Sequence, residues 1–485
     1  MAMDDNELNR RRQEREFRRQ QQIREQRKLI TKLIIAAVVI AACVGVILLL
    51  ALRGGGAPED TTAAENTTEA VQTVIQATNS TEATSIFNRD PTTVIHIRAG
   101  GDLNITDLVV QSGLNIHGYD YTAVFQDVTP VLSDADLTML NFEGILYGAP
   151  YGTETTSAPQ ELVDALRLAG VDILQAANTC TLNKGLIGLQ STLSAIRTAG
   201  IEPVGAFSTP EEFRKSGGYT ICNIRGIKVA VVAFTKGVGR GVPPGSEDTV
   251  NLLYNDHSST YQDVDTDFLN NILKAVDSED PDITIALVHW GMELNDTIVD
   301  SQKRIVSLMQ KRGVDVILGT HPHLVQEITY DEATGNLVAY SLGDFFGDGV
   351  KGGTNYSIIL DVEITMDNDT GKTRVTNYTY TPIYTLSEAE CDGQRRVVRI
   401  AEAMAAYDSN YVDRITKSAY DAMEKALTRI EERICTTIKI ECPDCGKSVE
   451  VLARTIPGVG TFLGKQATCS CGNVLPVNSN ISDYD

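Results

Sequence analysis

The chain has 485 residues, 42% of them hydrophobic, which excludes a fibre or a wholly disordered polypeptide and leaves room for more than one domain. A formal net charge of -22 excludes a nucleic-acid binder, the more so because ten of the 42 Lys and Arg lie within the first 32 residues. The remainder of the chain is correspondingly more acidic.

Residues 1–32 carry an Arg/Gln/Glu pattern that predicts a basic, solvated arm. Leu33 to Leu52 is a run of twenty residues without a charge, long enough to cross a hydrocarbon core of about 30 Å as a helix. With basic residues ahead of it, the positive-inside rule places the amino terminus in the cytoplasm and the remainder outside, as a single-pass cell-membrane protein. A cleaved signal peptide fits less well, because the apolar run exceeds the usual length of about 7–15 residues. Residues 53–92, rich in Gly, Ala, Thr, Glu and Asn, hold too little apolar content to pack and predict a flexible stalk.

Between Thr93 and about Tyr384 one arrangement recurs: a short, mostly apolar, β-branched run that ends on a polar group. Val94 to Ala99 leads into Asp102, Leu137 to Leu140 into Asn141-Phe-Glu143, and Val171 to Ala177 into Asn178-Thr-Cys180. Val229 to Phe234 leads into Thr235-Lys236, Ile283 to Val288 into His289, Val314 to Thr320 into His321-Pro-His323, and Leu337 to Leu342 into Gly343-Asp344. The near-continuous apolar character predicts strands covered on both faces. Amphipathic runs at 161–168, 189–198 and 301–311 separate several of them, each followed by a glycine (Gly170, Gly200, Gly313) where a helix is expected to end. Strand, polar group and helix in repetition predict an α/β domain with helices on its outer faces. Ligands collect at the carboxyl ends of strands in such folds, which directs Asp102, Glu143, the Asn178 region, His289, His321 and His323 to one rim. The chain has only six histidines, and imidazoles at i and i+2 of an extended segment point the same way, so His321 and His323 are able to converge on one ion.

In order along the chain, Gly101-Asp102, Asn141-Phe-Glu143, Ala177-Asn-Thr-Cys-Thr-Leu-Asn-Lys-Gly185, His289-Trp-Gly-Met-Glu293, Gln302, Gly319-Thr-His-Pro-His323 with Gln326, and Tyr340-Ser-Leu-Gly-Asp-Phe345 resemble the landmarks of the CapA family. That family is associated with poly-gamma-glutamate capsule synthesis and is related to calcineurin-like metallophosphoesterases. The resemblance covers residues 93–385 and implies a four-layer αββα sandwich of metallophosphatase type. It also implies a rim of metal ligands, Asp102, Glu143, Asn178, His289, His321 and His323, for Mn, Fe, Zn or Mg. The family usually shows Ala-Asn-Asn-His-x-x-Asp-x-Gly where this chain has Thr179, Cys180 and Asn183 in place of the second Asn, the His and the Asp. In related enzymes that Asn-His pair supplies a metal ligand and the leaving group's proton. Asp344 stands where the family commonly has Asn. Without a histidine at 180, the candidate acid is Glu293 or Asp344, or the site has none. Trp290 is a candidate cleft wall with a core residue as the alternative, and Lys184 and Lys236 are candidates for offsetting repulsion between the acidic protein and an anionic substrate.

From 386 to 437 apolar residues recur at spacings of three and four, predicting helices that either pack back on the core or form a small unit of their own. Residues 438–476 carry Cys442-Pro-Asp-Cys445-Gly and Cys469-Ser-Cys471-Gly, which look like the knuckles of a zinc ribbon, with disulfides as the rival reading outside the cell. Residues 477–485 form a tail. The functional expectation is an extracytoplasmic protein that makes, anchors or trims an anionic envelope polymer by metal-dependent hydrolysis or transfer. The alternative is a non-catalytic module that binds the polymer or its membrane synthase.

Overall fold

The computed structural model describes residues 90–484 apart from residues 240, 392 and 410–414. The basic arm, the apolar run at 33–52 and the stalk as far as residue 89 lie outside the described residues. Among the described residues no helix is long and apolar enough to cross a membrane.

The chain enters through β1 (Thr92–Asn104), helix α1 (Asp107–Ser112) and a hairpin of β2 (Leu114–Asn115) and β3 (Gly118–Tyr119). Helices α2 (Thr122–Phe125) and α3 (Thr129–Leu132), β4 (Leu137–Glu143), α4 (Gln160–Leu168), β5 (Ile173–Gln175), α5 (Gly185–Thr198) and β6 (Glu202–Val204) come next. After α6 (Pro210–Ser216) come β7 (Tyr219–Ile224), β8 (Ile227–Thr235), α7 (Thr266–Asp277), β9 (Ile283–His289), α8 (Asp300–Gln310), β10 (Val316–Thr320), β11 (Ile328–Asp331) and β12 (Asn336–Ala339). The chain then returns through β13 (Asp344–Phe346), β14 (Tyr356–Asp367), β15 (Thr373–Leu386) and β16 (Arg396–Arg399). It ends in α9 (Ile400–Asp408), α10 (Lys417–Ile434) and a small unit of β17 (Thr436–Glu441), β18 (Ser448–Ile456), β19 (Gly460–Leu463), β20 (Ala467–Thr468) and β21 (Val474–Leu475).

Two mixed sheets carry the fold. One runs β16-β15-β14-β1-β4-β5-β6 with β13 beside β1, and the other β11-β12-β10-β9-β8-β7. Their facing sides form one apolar layer that joins Ile95, Ile97 and Leu360 of the first sheet to Val229, Ile285 and Val316 of the second. The far face of the first sheet, with Leu140, Phe142 and Leu174, packs on Leu162, Leu166 and Ile196 of α4 and α5. The far face of the second, with Val232, Ala286 and Ile317, packs on Leu269, Ile305 and Met309 of α7 and α8. Helices therefore sit outside two stacked sheets, which is why the central strands read as unbroken apolar runs. Helices α9 and α10 pack back on the core rather than standing apart: Ile400, Met423, Ala426 and Ile430 belong to the inter-sheet layer with Tyr384 and Val398.

A repeated device sets the parallel register. Each of four strands is preceded by an aspartate whose carboxylate accepts the backbone N–H of a residue in the neighbouring parallel strand, while its own N–H donates to the same residue's carbonyl. Asp136 holds His96 at 2.9 and 2.9 Å and Asp172 holds Thr138 at 3.0 and 2.9 Å. Asp282 holds Lys228 at 2.7 and 2.8 Å, and Asp315 holds Thr284 at 2.8 and 3.0 Å. These clamps satisfy strand-end donors and pin the amino ends of β4, β5, β9 and β10 against their neighbours.

Burial pushes the Asp315 carboxyl up to about 6. Its folded value lies above the unfolded one, so its contribution to stability is full below about pH 4 and is lost as pH rises through about 6. Asp315→Asn keeps an acceptor for the Thr284 N–H and removes the buried charge. Thermal melts at pH 8 are expected to show the variant more stable than the parent by roughly 1–3 kcal/mol, with no gain at pH 4. A loss at pH 8 would mean that the charged form is what the clamp requires.

Candidate metal centre

The site forms where several strand ends meet. β1 carries Asp102 two residues before its end, and Gly101 lets the strand come against the turn before β13: a Cβ there would lie 1.7 Å from the Gly343 carbonyl oxygen, and Asp102 N donates to that oxygen at 2.9 Å. β4 contributes Asn141 and Glu143, β9 contributes His289, and the turn after β10 contributes His321 and His323. Both turn histidines have left-handed backbone, φ 92° and 60°, an unfavourable conformation for side chains with a Cβ and one that gathers at functional sites.

Asp102, Glu143, His289, His321, His323 and Asp344 are all buried. Asn141 Nδ2 donates to Asp102 Oδ1 at 2.5 Å, and the His321 N–H donates to Asp102 Oδ2 at 3.0 Å. His289 Nε2 lies 3.3 Å from Glu143 Oε1, and His323 Nε2 lies 3.7 Å from Glu143 Oε2. His323 Nδ1 is 2.7 Å from Asp344 Oδ1. Ligand-type atoms fall into overlapping groups, Glu143 with His321 and His323, Asp102 with His323 and Asp344, and Asp102 with Glu143 and His289, each within 4.8 Å. Within this cluster Glu143 Oε2, His289 Nε2 and His321 Nδ1 are buried without a hydrogen-bond partner.

The electrostatics follow from crowding charge out of water. Burial raises the Asp102 pKa, and the Glu143 charge adds to it. Burial also pushes Asp344 up to about 7, although His323 pulls the other way. For Glu143 burial is outweighed by His289 and His323, and the carboxyl is held well below the usual range. For His323 burial is outweighed by Asp344 and Glu143, and the ring is held well above its usual value. Burial and the neighbouring His289 hold His321 well below it.

The other expected site residues fall in different places. Asn178 is buried beside the cluster: Nδ2 donates to the Phe142 carbonyl at 2.7 Å and to Asn141 Oδ1 at 3.2 Å, and Oδ1 accepts the Cys180 N–H at 3.0 Å. Trp290, considered as a cleft wall, is the core residue of the two readings. It is wholly buried with its indole N–H on the Tyr340 carbonyl at 2.9 Å, because it follows His289 and so faces the opposite side of β9. Glu293 is exposed and 3.5 Å from Lys351 Nζ. Lys184 is exposed at the start of α5. Lys236 is half-buried, with Nζ 2.7 Å from the Gly291 carbonyl and 3.4 Å from His321 Nε2.

Of the altered segment, Thr179 Oγ1 donates to Glu143 Oε1 at 2.6 Å. Burial, reinforced by the Glu143 charge, pushes the Cys180 thiol up to about 12, so it is protonated at neutral pH. Asn183 turns to Thr156 at 2.8 Å. Asn141 joins the cluster without being a sequence-predicted site residue; the signal that could have found it is its place two residues before Glu143, on the same face of β4. Nothing in the sequence pairs Gln302 with Gln326, yet the two are buried together, Gln302 Nε2 donating to Gln326 Oε1 at 3.1 Å and Gln326 Nε2 to the Asn295 carbonyl at 2.9 Å. The pair ties the loop after β9 to α8 and to the turn after His323.

A second cluster lies in the C-terminal unit. Cys442, Cys445, Cys469 and Cys471 bring four sulfurs within 4.8 Å of one another. Cys442 Sγ is 3.7 Å from Cys471 Sγ, and Cys445 Sγ is 3.6 Å from Cys469 Sγ.

Comparison with known proteins places the first cluster in context. The family model described as bacterial capsule synthesis protein PGA_cap matches residues 96–348. The capsule biosynthesis protein CapA of Bacillus anthracis is 30% identical over 248 residues, covering 49% of this chain and 56% of that protein. The PGA biosynthesis protein CapA of Bacillus subtilis (strain 168) is 26% identical over 259 residues, covering 52% of this chain and 64% of that protein. The chain thus spans less than two thirds of the length of either relative. Among solved structures, one described as a novel phosphatase from Mycoplasma pneumoniae aligns with TM-score 0.38 and 15% identity, over 60% of this chain and 94% of that one. A 5'-nucleotidase from Candida albicans SC5314 aligns with TM-score 0.35 and 11% identity, over 72% and 59%. At such scores the alignments decide nothing about the site. The family match runs from β1 past Asp344 and encloses every member of the buried cluster, and on that match the chain belongs to the bacterial capsule synthesis protein family, PGA_cap.

Proposed function

We propose that this chain is a membrane-anchored, extracytoplasmic protein of the metallophosphatase type that acts on an anionic cell-envelope polymer such as poly-gamma-glutamate by metal-dependent hydrolysis or transfer. The observation that carries the reading is the set of orphaned atoms Glu143 Oε2, His289 Nε2 and His321 Nδ1. Each buried polar atom without a partner costs about 1–3 kcal/mol, and three of them on ligand-type residues in one cluster are what a cation would offset. The names of the Bacillus relatives support the polymer, and the apolar run at 33–52 supports the anchor.

The residues present fit a divalent ion, Mn, Fe, Zn or Mg, held by Asp102, Glu143, His289, His321 and His323. When bound, such an ion activates water as a nucleophile near neutral pH and polarises a phosphoryl or acyl oxygen. The remaining side chains orient the set. Asn141 holds Asp102 from one side while the His321 N–H holds it from the other. Asp344 fixes the His323 ring through Nδ1 and leaves Nε2 facing Glu143. Of the two candidate acids, Asp344 lies inside the cluster on His323, and burial pushes it up to about 7. Glu293 is exposed beside Lys351.

The second reading, a module that binds the polymer or its membrane synthase without turnover, is favoured by Thr179 and Cys180. The first gives its hydroxyl proton to a bond with Glu143, and burial pushes the second up to about 12, where a thiol holds its proton too tightly, so neither replaces a histidine as proton donor. At the C-terminal cysteines we propose zinc. The sulfur separations of 3.6 and 3.7 Å lie near the edge of a tetrahedron with Zn–S of about 2.3 Å, roughly 3.8 Å.

Elemental analysis of the full chain is expected to find about one zinc lost in Cys442→Ser/Cys445→Ser, and about one or two further equivalents lost in His321→Ala/His323→Ala. Saturable turnover of a phosphoester or gamma-glutamyl substrate should fall at least about 100-fold in Asp102→Ala. Metal bound without turnover selects the binding module; no metal lost on removing the two histidines removes the centre itself. For Asp344, competition with a chelator is the measurement. Asp344→Asn keeps an acceptor for His323 Nδ1 and should retain the metal, while Asp344→Leu should weaken it about 10- to 100-fold. Equal affinity in both variants would show that His323 needs no partner.

A further inference from the structure

Beside the metal centre lies a cavity of about 530 Å3 between the loops that follow β8 and β9, lined in part by Lys236, Tyr254, Tyr261, Met292 and Arg304. Lys236 forms its inner end. Its backbone N–H continues the pairing with β9, donating to the His289 carbonyl at 2.7 Å, and its Nζ sits 3.4 Å from His321 Nε2. The cavity and the centre thus share a wall one residue thick.

The loop over this cavity is built rather than incidental. Asp256 organises it by accepting the backbone N–H groups of Gln262 and Asp263 at 2.9 and 3.1 Å and the Thr260 hydroxyl. Tyr261 then adopts left-handed backbone, φ 56°, which brings its ring over Lys236 Nζ at 4.4 Å from the centroid. The loop seats closely on the strand end: a Cβ at Gly237 would lie 2.5 Å from the His257 carbonyl oxygen and 2.9 Å from Tyr261. Backbone strain of this kind persists only where the surroundings impose it.

Two cations face this space, neither in an ion pair among the described residues, although the Glu293 charge reaches Lys236. Lys236 is half-buried yet forms no ion pair among the described residues, its polar contacts being the Gly291 carbonyl and the His321 ring. Arg304, in α8, likewise makes no ion pair among the described residues and lines the same cavity. Half-burying the Lys236 cation is costly unless an anion meets it, whereas Arg304 is exposed and keeps its charge at the outer rim. The one acidic side chain of the lining, Asp300, sits in the first turn of α8. Between the two cations the walls are aromatic and aliphatic, Tyr254, Tyr261 and Met292, which suits a chain whose carboxylates alternate with short apolar stems. The guanidinium fork of Arg304 matches a carboxylate in geometry as well as charge.

We infer that this cavity is the subsite for a carboxylate-bearing chain adjoining the bond presented to the metal centre, with Lys236 as its inner and Arg304 as its outer charge partner. The inference deepens the polymer reading above and rests on it. Titration calorimetry on the full, metal-loaded chain in detergent tests it, with tetra-gamma-glutamate and its uncharged gamma-glutamine counterpart as probes. The acid is expected to bind and the amide not. Lys236→Met and Arg304→Met should each weaken the acid about tenfold or more, the scale of one lost hydrogen bond to a charged group. Arg304→Met should keep the metal content and melting temperature of the parent, which separates lost binding from a lost centre. The inference is overturned if the acid does not bind, if acid and amide bind alike, or if Arg304→Met binds as the parent does. Binding through Lys236 and Arg304 in a chain that proves to lack metal would leave the subsite standing and remove the catalytic reading.

Discussion

Three carboxylates, Asp102, Glu143 and Asp344, are buried together, and the rest of the fold answers to that constraint. Each would be strongly disfavoured as an anion in that setting unless donors and positive charge met it. The donors come from different stretches of chain. Asp102 is met by Asn141 of β4 and by the backbone after β10, Glu143 by Thr179 after β5, and Asp344 by His323. None of these contacts is local in sequence, and His321 and Asp102 are 219 positions apart. The cluster therefore exists only while separate strand ends keep one mutual position, and an error of one residue in any register would turn a ligand to the opposite face.

That position is set from both ends of the strands. At the amino ends the four aspartate clamps fix β4, β5, β9 and β10 against their neighbours. At the carboxyl ends close backbone approach is needed. A Cβ on Gly319 would come 2.0 Å from the Tyr340 carbonyl oxygen, the same oxygen that accepts the Trp290 indole N–H. Glycine there lets β10 run beside the returning chain, so that His321 and His323 emerge next to Asp102 and Asp344.

How much of this is legible in the sequence depends on burial. β4, β8, β9 and β10 are covered on both faces and read directly as apolar runs. β14 and β15 carry half-exposed positions along much of their length, so Tyr356 to Leu386 shows no comparable run. The polar groups at the strand ends are legible as a set because each terminates a run, but which way each points follows from the alternation of side chains. Counting in twos from His289 sends Trp290 into the helix-covered face, and counting back from Glu143 brings Asn141 into the cluster. The aspartate clamps are written in the chain too, as an Asp immediately before an apolar β-branched or leucine residue, yet only the pairing reveals what each carboxylate holds. The Gln302–Gln326 bond leaves no such trace: both residues are landmarks of the family resemblance, yet nothing in the chain says that they meet until both are seen buried.

The C-terminal segment is where sequence and structure part most usefully. Helical spacing alone leaves open whether residues 386–437 stand apart, because an apolar stripe does not name what it covers. In the structure that stripe completes the inter-sheet layer, with Ile400, Ala419, Met423 and Ile430 beside Leu386 and Val398. Arg433, near the end of α10, then reaches Asp296 at 3.3 Å in the loop after β9, and the same loop carries Glu293 to Lys351 at 3.5 Å. The cysteine-bearing unit comes directly after α10 and is bonded to β15, through Tyr378 to the Thr455 carbonyl and Arg454 to Tyr380, each at 2.9 Å. A chain cut at the end of β15 would uncover apolar core and release a loop that borders the candidate metal centre. The helices and the cysteine cluster thus belong to the scaffold on which the site depends, and the smallest piece that keeps its loops tethered as they are here runs beyond the family match to the end of the ribbon-like unit.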